Sequence, residues 1–295
     1  MLKIIFSMKN AILTLSVFLF VLSSCNKEKL QTEDLKNPVI VNFESQISRV
    51  VGTSWENDDE VGISATDGNE VTYKSIKYLS DENGSFTVAE GVQPICFTNK
   101  NPMSFTAYYP YSENGGIISA NTATAPDKCN FLWAKQDGLS YSESPVVKFV
   151  FNHSMSEVVF KISSSEGLSL TDYQNPTVIG FKHQGSFNTE TGEAKIDDTA
   201  QLAEWTISMK QSDGKLTYTA ILFPQTVNSL SFKVGDKIYP VEITPSTINM
   251  IGGKTYNINM DVKPEKISAE VSIIDSEING FGPGEDFDAL FTVQE

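Results

Sequence analysis

The sequence predicts an all-β fold built as two antiparallel β-sandwich domains, and three observations predict it. Short runs alternate apolar with polar side chains and are separated by Asp67-Gly68-Asn69, Asn83-Gly84 and Asn101-Pro102, the spacing and turn chemistry at which sandwich strands recur. No stretch longer than a turn or two carries a helical period. Two strands also end alike: Phe105-Thr106-Ala107 runs into Tyr109-Pro110, and Tyr218-Thr219-Ala220 into Phe223-Pro224, one residue longer. Proline halts a β-ladder in both places, as a duplicated domain would repeat it.

The chain opens with Lys3 and Lys9, then an apolar run over residues 11–22, then Leu22-Ser23-Ser24-Cys25. A positive end, a hydrophobic segment too short for a membrane span and a small-residue cleavage site are the parts of a secretory signal, here residues 1–24. Leu-Ser-Ser-Cys resembles the lipobox of bacterial lipoproteins, which implies cleavage before Cys25 and acylation of that residue. Two or more acyl chains hold a protein stably on a bilayer. Residues 25–37 are polar and read as a tether.

Residues 38–145 form the expected N-terminal domain. Its first strand places Val39, Val41, Phe43 and Ile47 on one face and Asn42, Glu44, Gln46 and Ser48 on the other, the period of two of a half-buried strand. Arg49 follows, the single arginine of the chain; the other basic residues are lysines. Further strands are read over residues 60–65, 71–79, 85–89, 94–98, 103–109 and 131–134. Residues 111–128 read as a loop and 138–145 as a linker.

The C-terminal domain is expected over residues 146–295, ending in an acidic tail. It opens with Val147, Phe149, Phe151, His153 and Met155 on one parity and continues with Val158, Phe160 and Ile162 on the other, which predicts one long strand with a β-bulge near Ser156-Glu157. Later strands are read over residues 177–183, 205–209, 216–222, 229–234, 238–243, 255–261 and 268–274.

The formal charge is −15, and −17 once Lys3 and Lys9 leave with the signal. Such a surface repels phosphate backbones, so nucleic acid is excluded as a partner, and any membrane attachment falls to lipid. Acid-base chemistry is thinly supplied, with His153 and His183 the two histidines. His153 shares a face with apolar neighbours and reads as a structural residue; His183 reads as a strand end. No nucleophile elbow, phosphate-cradling glycine loop or paired metal-ligand motif is present. The acidic stretches 56–60, 67–70 and 284–288 lack the spacing of an EF-hand and read as solvated turns. Cys96 and Cys129 lie in apolar, strand-like settings that suit free thiols, although an exported chain also permits a disulfide. Tyr108, Tyr109 and Tyr111 flank Pro110, and their alternating parity keeps them from forming one exposed sugar platform.

Six pieces in order, the lipobox cysteine first, resemble the fimbrillin family, the lipoprotein pilins of type V pili, in its Mfa-like branch. They are Cys25; Ile47-Ser48-Arg49 with Trp55 and Asp59-Glu60-Val61-Gly62-Ile63; Phe105 through Tyr111; Phe151-Asn152-His153-Ser154-Met155 running on to Phe160; Leu222-Phe223-Pro224-Gln225; and Gly252-Gly253-Lys254-Thr255-Tyr256-Asn257-Ile258. The chain departs from the family in having Asp59-Glu60 where Gly-Asp is common, Gly280-Phe281-Gly282 in place of a Trp-Gly ending, and the tail 283–295.

The resemblance implies transthyretin-like sandwiches, no cofactor, no metal and no catalysis. It further implies a subunit anchored in the outer membrane through lipid on Cys25, exposed at the cell surface and carried into a pilus after processing. An extracellular Arg-specific protease would cut between Arg49 and Val50 and remove the first strand with Val39, Val41, Phe43 and Ile47. A strand from another pilin subunit would then fill the groove. The family's donor lies toward the carboxyl end, where Ala269, Val271 and Ile273 share one face and residues 287–293 form a second candidate. The alternative reading is a surface lipoprotein of the same fold that binds a glycan or host protein and does not polymerise.

Overall fold

The computed structural model describes residues 34–47, 55–69, 71–241, 247–263 and 266–274. The first half contributes β1 (Asp34–Ile40), β2 (Asn42–Ile47), β3 (Glu60–Thr66), β4 (Thr72–Ser80), β5 (Ser85–Val88), β6 (Cys96–Asn99), β7 (Met103–Tyr109), β8 (Ile117–Asn121), β9 (Leu132–Leu139) and β10 (Val146–His153). Seven of these close into a barrel in the order β10-β2-β5-β4-β3-β7-β9. Closure depends on β10, which pairs with β9 at one edge and runs parallel to β2 at the other. Each strand alternates as its sequence does: Val147, Phe149 and Phe151 of β10 point inward while Val146, Lys148 and Val150 face solvent. The interior is filled by Phe43, Val61, Ile63, Phe97, Phe105, Phe149 and their neighbours.

The second half contributes β11 (Ser156–Ser163), β12 (Thr177–Lys182), β13 (Gln184–Asn188), β14 (Ala194–Ile196), β15 (Leu202–Thr206), β16 (Lys210–Ser212), β17 (Lys215–Leu222), β18 (Thr226–Val227), β19 (Leu230–Val234), β20 (Lys237–Val241), β21 (Ile248–Asn249), β22 (Thr255–Lys263) and β23 (Lys266–Ile274). Sheets β16-β17-β11-β22-β23 and β15-β12-β19-β20 enclose a second core, with Val158, Phe160, Leu216, Tyr256 and Ile258 from one and Val178, Trp205, Leu230 and Phe232 from the other. Apolar inner faces packed across two antiparallel-rich sheets make a sandwich.

A third cluster joins the two. Tyr108, Cys129, Phe131, Met155, Phe187 and Phe223 are buried together, with Phe131 and Phe187 stacked at 4.7 Å between ring centroids.

Several local expectations change. The phase slip near Ser156 is a passage between sheets: β10 ends at His153 in the barrel, and β11 starts at Ser156 in the sandwich. Val146–His153 therefore belongs with the N-terminal barrel, although residue 146 was the expected start of the second half. Met155, on the connection, is buried in the joining cluster and shares no core with Phe149. Residues 34–37 of the expected tether lie on β1, where Asp34 pairs with Asn99. The expected loop over residues 111–128 contains β8, which pairs with β13 from Ile117↔Asn188 to Asn121↔Gln184. Its weak local pattern is overridden by a partner far along the chain.

Candidate assembly groove

The second strand, β2, occupies a slot in the barrel wall. Backbone pairing sets β2 against β10 from Asn42↔Val146 to Ile47↔Phe151 and against β5 at Phe43↔Phe86 and Glu44↔Ser85. Further backbone bonds fix its entry: the Val41 N–H donates to the Ile95 carbonyl (3.0 Å), that of Asn42 to Pro145 (3.0 Å) and that of Ser45 to Gly84 (2.7 Å). β1 lies on β6, with Val39 opposite Phe97 and Ile40 opposite Cys96.

Side chains alternate as the sequence requires. Val41 and Phe43 are each 2% exposed, whereas Asn42 and Glu44 face solvent. Phe43 is the deepest insertion: its ring meets Tyr78 edge-on at 5.0 Å and Phe105 at 5.8 Å, and stacks on Phe149 at 5.8 Å. Val39 is half-buried against the same core. Outside the wall, Glu44 pairs with Lys148 at 3.4 Å, both mostly exposed, so this ion pair adds little.

Beyond β2, Trp55 re-enters the same core. It packs edge-on against Phe151 at 5.2 Å, Phe86 at 5.3 Å and Tyr109 at 5.7 Å. The chain is therefore anchored on both sides of the segment 48–54, by Phe43 before it and Trp55 after it. Arg49 and Val50 lie in that segment, outside the described residues, as do Cys25 and residues 287–293.

At the carboxyl end, β23 stands at the edge of its sheet and, among the described residues, pairs with β22. The register sets Ala269, Val271 and Ile273 opposite Met260, Ile258 and Tyr256.

The remaining candidates have structural partners. His153 Nδ1 is 3.0 Å from Asn130 Oδ1, and His183 Nδ1 is 2.9 Å from Thr122 Oγ1. Burial lowers both imidazoles to about 4. Tyr109 donates to Asp59 at 3.3 Å, while Tyr111 lies under the Lys77 ammonium at 4.6 Å. Asp67 binds the Asn69 and Val71 amides and the Asn99 and Asn101 side chains. Burial pushes that carboxyl up, but these four bonds outweigh it and hold it below the ordinary range. Both Cys96 and Cys129 are free thiols, and burial raises Cys129 to about 11. Among the described residues, no three His, Cys, Asp or Glu side chains are grouped to hold a metal ion.

The single strand expected over Val39 to Ile47 is two: Val39 lies on β1 beside β6, and Phe43 and Ile47 lie on β2 in the barrel, with Val41 at the break. The walls that receive β2 were not legible in the sequence. Tyr78, Phe105 and Phe149 come from three strands distant in sequence, and only the alternation of each strand marked them as buried.

Known proteins share this architecture. A solved cell adhesion candidate from Bacteroides ovatus is 25% identical, with a TM-score of 0.62 over 84% of this chain and 99% of that one. One from Bacteroides uniformis matches the fold with a TM-score of 0.63, 23% identity and coverage of 82% and 98%. A curated Bacteroides uniformis protein described as a candidate fimbrium subunit, Fim1C, is 34% identical over 161 residues, about half of each chain at 49% and 52%. The model of the fimbrillin-like family matches residues 48–280, and the chain belongs to that family.

Proposed function

We propose that this chain is the lipid-anchored precursor of a pilus subunit, assembled when proteolysis at Arg49 removes β1 and β2 and a strand from another subunit replaces them. Membership of the fimbrillin-like family gives a fimbrial, structural or adhesive role at the cell surface. The observation that carries the finer reading is the slot itself. The strand β2 supplies Phe43 to the core, with Val41 buried just before it, and pairs on both sides, and a single arginine follows it two residues after Ile47. Losing that strand bares aromatic side chains and the backbone groups of β10, a template for strand addition. Trp55 would hold the new amino end in place.

In this reading Cys25 carries the acyl chains, the barrel and the sandwich are the two domains, and the donor lies beyond Pro264. The chain acts as a structural protein without catalysis. Treating the chain that begins at Asn26 with an Arg-specific protease should give a new terminus at Val50, and filaments under the electron microscope. Arg49→Ala should block both. Chains ending at Pro264 and at Ile274 assign the donor: loss of polymer only in the shorter one selects residues 266–274, and loss in both selects the tail.

A second reading is favoured by the pairing of β23 within its own sheet, which leaves that strand occupied. A surface lipoprotein of this fold that binds a glycan or host protein would be cut at Arg49, or resist cutting, without forming polymer.

A further inference from the structure

Across the barrel from β2 lies a cleft of about 430 Å³ that the assembly reading does not use. Its floor is the outer surface of β4, β3, β7 and β9, and its rim is formed by Gly115-Gly116 and Thr189-Glu190. In the barrel order β3 stands three strands from β2 one way and four the other, so loss of β1 and β2 leaves the cleft walls intact.

The floor is unusual in its chemistry. Ser64, Thr66, Thr72, Ser104 and Thr106 present hydroxyls and methyls side by side, and Lys74 and Lys135 stand at the margins. Cross-strand pairing aligns Ser64 with Thr106, and Thr106 with Lys135. Lys135 is already bonded to Asp137 at 3.0 Å, so the cleft does not concentrate positive charge.

Three of the hydroxyls are fixed in position. Ser64 Oγ accepts the Ser75 N–H (2.9 Å), Ser104 Oγ accepts the Gly138 N–H (3.1 Å), and Thr189 Oγ1 accepts the Gly116 N–H (2.7 Å). A hydroxyl that accepts a backbone N–H still has its own hydrogen to donate. Thr189, only 3% exposed, is also held through its backbone: its N–H donates to the Gly116 carbonyl (2.9 Å), and its carbonyl accepts the Trp133 indole N–H (3.1 Å). The rim is thus built before any ligand arrives, where the turns beside β8 and after β13 meet the barrel wall.

We propose that this cleft binds a saccharide of one or two rings. Oriented O–H donors match an acceptor-rich ligand, while threonine methyls and lysine stems match the C–H faces of a sugar ring. The volume falls within the roughly 300–1,000 Å³ of small-molecule pockets. A phosphate would meet too little positive charge.

The test is a printed array of neutral and sialylated oligosaccharides probed with the chain beginning at Asn26, followed by calorimetry on any hit. Binding should appear, Thr106→Tyr should weaken it at least tenfold by filling the floor, and Thr106→Val should weaken it several-fold by removing one hydroxyl. Glu190→Trp, on the exposed turn at the rim, should also weaken it should Thr106→Tyr fail to fold. An array without hits overturns the proposal, as does a hit that survives Thr106→Tyr and Glu190→Trp in folded protein. Retention of a protein partner by the same surface, without sugar binding, overturns it as well. Polymerisation after cleavage at Arg49 is a separate readout, so failure of one reading leaves the other standing.

Discussion

Phe43→Ala tests whether the first strands are held chiefly by one aromatic side chain. The ring is 2% exposed and touches Tyr78, Phe105 and Phe149. Truncating such a residue costs about 3–5 kcal/mol, from lost transfer energy and the cavity left behind. If that loss falls on the docking of β1–β2, opening of the strand becomes about two to four powers of ten more frequent. Amide exchange reports the opening, because the Val41, Asn42 and Ser45 N–H groups donate to the Ile95, Pro145 and Gly84 carbonyls. The Ile207 and Met209 amides, bonded to Pro176 and Gln174 in the sandwich, serve as the silent control. In the chain beginning at Asn26, hydrogen exchange under native conditions should accelerate at least a hundredfold at Val41, Asn42 and Ser45 and stay unchanged at Ile207 and Met209. Glu44→Ala, which removes only an exposed ion pair, should leave both rates alone. Unchanged exchange of these amides in folded Phe43→Ala protein would refute the idea that one aromatic side chain holds β2 in the barrel.

Three further outcomes follow from packing and protonation. Gly62→Ala should destabilise the fold by about 1–3 kcal/mol in urea titration, because the new Cβ would fall inside the Tyr108 ring that lies across it. Gly192→Ala should also lower the melting temperature, since residue 192 has φ +76° and its Cβ would meet the Trp133 indole. Both histidines are held neutral by burial, with folded values of about 4 against 6.5 unfolded. For a base lowered in the folded state, the unfolded chain takes up the proton first. Stability is then fully present above about pH 6.5 and is lost as pH falls toward 4, by up to about 3 kcal/mol per histidine. Urea midpoints at pH 7 and pH 4.5 should show this fall, and His183→Gln should reduce it; a flat pH response would contradict the burial assignment.

Much of the fold was present in local patterns. Val39, Val41 and Phe43 alternate with polar residues, and that period is enough to name a half-buried strand and its inward face. The same holds for Val147, Phe149 and Phe151, and for Val158, Phe160 and Ile162. Periodicity and turn chemistry set the all-β class, whereas a cut at Arg49 is implied by the family resemblance alone. Periodicity records which side of a strand is buried, because successive side chains point to opposite faces. It carries no record of the partner on either edge. The tertiary structure therefore decided that β10 closes the barrel against β2, that the chain changes sheets between His153 and Ser156, and that Ile117–Asn121 becomes a strand by pairing with β13. It also decided the cleft, whose Ser64, Thr106 and Thr189 come from separate strands and a turn and are brought to one space only by long-range pairing.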